Sequence, residues 1–147
     1  TPKPSSAASD VYKRQVFEIT ESVLVHNEAA DIIARLRRLG VQVALDDFGT
    51  GYAALSYLRR FELDKIKIDK SFIQTHDNDP RNTLVVRAIC DLAHQLDLEV
   101  IAEGVETTEH VAFVKSLNCR FAQGYLFGRP QPADQCLPSL RSARAIT

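Results

Sequence analysis

At five places this sequence carries side chains that could hold a hard metal ion and work on a phosphoester. They are Glu18, the adjacent Asp46 and Asp47, Lys67, Glu103 and Gln123. Each lies at or near the carboxyl end of a short β-type run, which is where the working groups of parallel α/β proteins sit. Carboxylates converging on one mouth repel one another unless a cation lies among them. An all-oxygen donor set, with no His or Cys at ligand spacing, favours Mg or Mn over Zn. The adjacent acids Asp46 and Asp47 could serve two ions about 3.5 to 4 Å apart, the spacing that clamps both attacking and leaving oxygens in phosphoester hydrolysis.

Simpler explanations exist for each piece taken alone. Asp46-Asp47 could start a turn and cap the next helix. Gly49-Thr50-Gly51 could bring backbone amides to a phosphate, but turn geometry explains a lone Gly-x-Gly equally well. Lys67 could be an ordinary solvated lysine, and Glu103 to Glu106 a strand-to-helix turn with an acid near a helix N-terminus. What these explanations do not account for is the recurrence of such residues at the same end of successive strands. The histidines, His26, His76, His94 and His110, fall on loops or helices and are read as surface residues.

The elements that must position these groups alternate between two periodicities. Strands are expected at 16–20, 41–45, 65–69, 98–102 and 120–123, separated by helical patterns, the signature of successive βα units. Asn27 is a candidate cap for a helix presenting Ile32, Ile33, Leu36 and Leu39, with Gly40 as its stop. Asp79-Pro80 opens a longer helix, and Thr107 or Thr108 caps another. Along the strands one face is apolar, including Phe17, Ile19, Val43, Leu45, Ile66, Ile68 and Val100. The other holds Glu18, Asp46, Lys67 and Glu103. An open parallel sheet covered on both sides should be apolar on both, so the asymmetry favours a barrel whose inner wall turns polar near its mouth.

Composition narrows the classes. The 147 residues are 45% hydrophobic and 25% charged, enough for one globular domain. A net charge of -1 excludes a broad basic face for a nucleic acid polymer or anionic lipid. No apolar run reaches the roughly 18 to 20 residues that would cross a bilayer. Three scattered cysteines fit neither a disulfide framework nor a Cys-x-x-Cys clip, and are read as reduced, mostly buried thiols of a cytoplasmic protein. Residues 1–15, rich in Pro, Ser and charge, read as a linker or a non-native scar ahead of a domain over 16–147.

Five segments together resemble the EAL domain, the bacterial cyclic di-GMP phosphodiesterase. They are Glu18-Ile19-Thr20-Glu21, Asp46-Asp47-Phe48-Gly49-Thr50-Gly51, Lys67-Ile68-Asp69-Lys70-Ser71-Phe72, Ala102-Glu103-Gly104-Val105-Glu106-Thr107 and Gln123-Gly124-Tyr125-Leu126-Phe127-Gly128. They run in family order from about Val16 to Pro132. The resemblance implies a modified TIM barrel in which Mg or Mn, as two ions, activates water to open one phosphodiester of cyclic di-GMP, giving linear pGpG. It implies Glu18, Asp46, Asp47 and Glu103 as metal ligands, with Lys67, Glu103 and Gln123 in catalysis. Glu21 would pin the loop that begins at Asp46, and Gly49, Thr50, Gly51 and Glu106 would face the substrate. It further implies a homodimer in a cytoplasmic setting, in a parent protein that other domains could tether to a membrane.

The departure from the family lies at the front. The Glu-Ala-Leu tripeptide that names the family does not occur, and neither does the ligand Asn expected on the strand after it. A (β/α)8 barrel takes about 200 to 250 residues, so the expected fold class is α/β, about the last five βα units of a TIM-like barrel. On this reading the chain is a truncated piece, inactive alone. The alternative is a degenerate EAL-like domain that binds cyclic di-GMP or a protein partner without turnover. A receiver domain of two-component signalling is disfavoured, because Lys67 stands where its phosphoacceptor Asp should be.

Overall fold

A computed structural model describes residues 15–26, 28–49, 54–75, 79–132 and 135, with the side chains of Ala54 and Leu55 outside that description. The chain forms two compact units, residues 1–67 and 68–147.

In the first unit β1 (Val16–Thr20) leads through a one-turn helix α1 (Glu21–Leu24) to α2 (Ala29–Arg38). There follow β2 (Gln42–Phe48), α3 (Ala54–Arg60) and β3 (Lys65–Ile68), whose first three residues belong to this unit. The strands lie in the order β1-β2-β3. β1 and β2 pair in parallel with Glu18 opposite Ala44 and Thr20 opposite Asp46. The apolar alternation predicted for one face supplies the core: Ile19, Val43, Leu45 and Ile66 are buried, together with Leu24 and Ile33 from the helices. Phe17, on the same face, stays half exposed.

The amino ends of β2 and β3 are tied by a local ionic network. The Asp64 carboxylate accepts from the Val43 amide at 2.8 Å, and the Asp64 amide donates to the Val43 carbonyl at 2.9 Å. Arg37 on α2 donates to Glu62 at 2.7 Å and to Asp64 at 3.1 Å. These polar groups thus hold one end of the strands, leaving Asp46 and Asp47 at the other.

In the second unit α4 (Lys70–Gln74) and α5 (Pro80–Gln95) precede β4 (Glu99–Ala102), α6 (Thr108–Ser116) and β5 (Phe121–Ala122). β4 and β5 pair in parallel, Ala102 opposite Ala122. The expected start signals operate here. Asp79 caps α5 by accepting from the Arg81 amide, with Pro80 in the first turn, and Thr107 caps α6 by accepting from the His110 amide. α5 buries Val86, Cys90 and Ala93, while Val100, Ala102, Phe113 and Val114 complete the core. Cys90 and Cys119 are buried free thiols. Burial pushes Cys90 up to about 12, helped by the neighbouring Cys119 and Asp91. Cys136 lies outside the described residues.

Several expectations shift in detail. β2 runs three residues past Leu45, because Phe48 is buried and anchors its end, so Asp46 and Asp47 belong to the strand. Asp47 adopts φ 54°, which carboxylate and amide side chains of this length tolerate better than most. α2 begins after Glu28, and the proposed cap Asn27 lies outside the described residues. The polar strand face is not simply solvated: Ala44 is fully buried and Lys67 is 4% exposed. His26 and His94 are exposed as expected, but His110 is half-buried.

Candidate functional site

Three strands of the first unit bring Glu18, Asp46 and Lys67 onto one face. The period-two alternation puts Glu18 on the face of Thr20, and Asp46 on that of Ala44, and the parallel register matches the two rows. The Lys67 ammonium lies 2.9 Å from Glu18 Oε2 and 2.9 Å from Asp46 Oδ1. Asp46 Oδ1 also accepts from the Asp47 amide at 3.1 Å. Burying an ammonium costs several kcal/mol unless close anions and hydrogen bonds offset it. Two carboxylates at contact distance supply that offset, which a solvated lysine would not need.

Glu18 and Asp46 gather carboxylate oxygens on this face, and Asp47 follows directly on β2. Oxygen donors of this kind suit a hard divalent cation. Asp47 is the most exposed of the group's acids on β2, and the positive φ at its backbone turns it out of the regular pleat.

Gly49 follows at φ 101°, a conformation glycine adopts freely, while Thr50 and Gly51 lie outside the described residues. Glu21, at the start of α1, has a buried carboxylate oxygen, Oε1, with no hydrogen bond among the described residues. The loop it was expected to pin is described only as far as Gly49.

The second unit brings together residues at the ends of β4 and β5. Gln123 Nε2 donates to Glu103 Oε1 at 2.6 Å. The backbone enforces this pairing: the Gln123 amide donates to Ala102 O at 2.8 Å and the Val105 amide to Gln123 O at 3.1 Å. Gly104 sits at φ 69°, and a Cβ there would overlap the Cβ of Lys70. Gly124 is equally confined, with the Val105 backbone where its Cβ would be. Both glycines permit close backbone approach, which lets the Glu103 to Glu106 loop lie flat against its neighbours.

That loop borders an open cavity of about 630 Å³, also lined by Lys70, Gln123, Tyr125 and Arg129. The Arg129 guanidinium stacks on the Tyr125 ring, 4.5 Å from its centroid. Glu106 is held from two sides, by Gln74 Nε2 at 3.0 Å on its carboxylate and by His110 Nδ1 at 3.2 Å on its amide.

The structure therefore brings Glu18, Asp46 and Lys67 together in one unit, and Glu103 with Gln123 in the other. Lys70, Gln74, His110, Tyr125 and Arg129 were not singled out from sequence. Gln74 lies four residues after Lys70 on α4, a spacing that places the pair on one helical face and was the available signal there. Glu106 precedes the Thr107 cap, so no helical spacing pointed to its link with His110.

Comparison with known proteins points to one family. A family profile described as EAL domain matches residues 6–130. The cyclic di-GMP phosphodiesterase NbdA of Pseudomonas aeruginosa is 44% identical over 130 residues, which are 87% of this chain and 17% of that protein. The solved PaMucR phosphodiesterase, in complex with c-di-GMP, superposes with a TM-score of 0.79 at 39% identity, over 84% of this chain and 51% of that one. A manganese and cy-diGMP complex of Klebsiella pneumoniae BlrP1 matches with a TM-score of 0.76 at 35% identity, over 80% of this chain and 31% of that one. The chain thus spans about half of one solved relative and less than a fifth of the curated one, and its α/β fold is that of part of a TIM-like barrel. No helix among the described residues is long and apolar enough to cross a membrane.

Proposed function

The chain belongs to the EAL domain family, and from that premise we propose that the whole protein hydrolyses cyclic di-GMP to linear pGpG with two Mg or Mn ions. The observation that carries this reading is Lys67, buried and bridging the carboxylates of Glu18 and Asp46. Glu18, Asp46, Asp47 and Glu103 are the residues that would hold the metal. A divalent cation bound by such donors polarises phosphoryl oxygen and lowers the pKa of water, making a nucleophile at neutral pH.

The remaining roles follow from the side chains themselves. Lys67 neutralises charge on the phosphoryl oxygens as it develops, from an ammonium already held against Glu18 and Asp46. Glu103 takes the proton of the attacking water, and Gln123, donating to its Oε1, orients it. Glu106 and the backbone of Gly49, Thr50 and Gly51 meet the substrate. Glu21 holds the loop that starts at Asp46. A homodimer working in the cytoplasm belongs to the same proposal.

Asp46→Asn and Glu103→Gln in the whole protein test it. Each should lower turnover of cyclic di-GMP about 100-fold with the fold intact. Near-normal rates in both would remove these residues from the chemistry. A wild type that binds the nucleotide without opening it would instead identify a sensor.

A further inference from the structure

Two residues outside the five motifs converge on one that lies inside them. Glu106 borders the 630 Å³ cavity beside Lys70, Tyr125 and Arg129. Its carboxylate accepts from Gln74 Nε2 at the end of α4, and its backbone amide donates to His110 Nδ1 in the first turn of α6. The preceding residues leave the loop little freedom, since Val105 is fully buried and exchanges hydrogen bonds through its amide with Gln123 and through its carbonyl with Leu126. Glu106 itself is exposed, and these two side chains fix its carboxylate and its amide. His110 is fixed in turn, its amide donating to the Thr107 cap at 3.2 Å.

Resting on the reading of this cavity as part of the cyclic di-GMP site, we propose that His110 and Gln74 are positioning residues. They hold Glu106 so that its carboxylate is presented to N–H or O–H donors of the bound nucleotide. Nδ1 of His110 must be unprotonated to accept from the Glu106 amide, leaving the proton of the neutral ring on Nε2. A preset carboxylate does not have to be ordered when substrate arrives, and the benefit falls on binding rather than on the bond-breaking step.

Steady-state kinetics on the whole protein with cyclic di-GMP tests this. His110→Phe keeps a ring and removes the acceptor, and Gln74→Leu removes the donor. Each should raise KM about 5- to 10-fold, with kcat within about twofold of wild type. His110→Gln, which retains an acceptor, should restore most of the KM. In a Glu106→Ala background neither variant should raise KM further, because the group they hold is gone.

If His110→Phe does not fold, Gln74→Leu at an exposed position carries the same test. Wild-type KM in the variants, a loss confined to kcat, or undiminished effects without Glu106 would each overturn the assignment while leaving the enzyme reading in place. A wild type that neither binds nor opens cyclic di-GMP would overturn both.

Discussion

Lys67→Met should lower kcat for cyclic di-GMP about 1000-fold, the upper end of what loss of one preorganised donor costs, while the protein still melts cooperatively. The two halves of this result have separate causes. Lys67 lies 2.9 Å from both Glu18 and Asp46. Without it, charge developing on a phosphoryl oxygen beside these acids loses its compensation. Stability behaves differently because an ammonium that is 4% exposed has already forfeited its hydration. Methionine fills similar space with no desolvation cost. The acids left behind are not sealed in, since the side chain of Glu18 is 49% exposed and that of Asp46 24%. The net loss should therefore be on the order of 1 kcal/mol, below the 3 to 5 kcal/mol of a fully buried broken pair. Kinetics and thermal melts on the same preparation check both; a variant with more than a tenth of wild-type kcat would show that Lys67 is structural only.

Gly104→Ala should cost about 3 kcal/mol or more in stability and abolish most turnover. Two penalties coincide at this position. At φ 69° an alanine costs roughly 1 kcal/mol in backbone strain. Its Cβ would also overlap the Lys70 Cβ, a contact with the root of a side chain that cannot swing away. Relief requires moving the loop that carries Glu103 and Glu106, so even folded molecules would present both carboxylates out of place. Denaturant unfolding would show a lower midpoint with little change in slope. Gly128→Ala is the matched control: that position has open space where the Cβ would go, so only its φ of 149° opposes the change.

Much of this was legible in the residues. The alternation in Val16 to Thr20 fixed a strand whose observed limits agree with those expected, and Asp79-Pro80 and Thr107 cap helices because their side chains satisfy orphan amides. Periodicity could not reveal α1 and α4, which at four and five residues are too short to complete a pattern. The extension of β2 to Phe48 escaped notice because two consecutive acids read as the beginning of a turn.

The site was legible as residue types, and its geometry was not. Lysine is by habit a solvated residue, and the burial of Lys67 depends on Glu18 and Asp46 from two other strands. Pairing of Gln123 with Glu103 likewise arises from strand order rather than from sequence distance. The link between His110 and Glu106 is local, but a histidine in a first helical turn gives no hint of whether its ring faces solvent or the preceding loop.

The most direct test of the central claim is to follow cyclic di-GMP and its product chromatographically with the whole protein, in Mg buffer and in rigorously Mg-free Ca buffer. Linear pGpG should accumulate with Mg, while with Ca the nucleotide should stay bound and uncleaved, since the larger ion accepts looser coordination. Equal turnover in both buffers, or after exhaustive chelation, would contradict a metal-dependent phosphodiesterase built on Glu18, Asp46, Asp47 and Glu103.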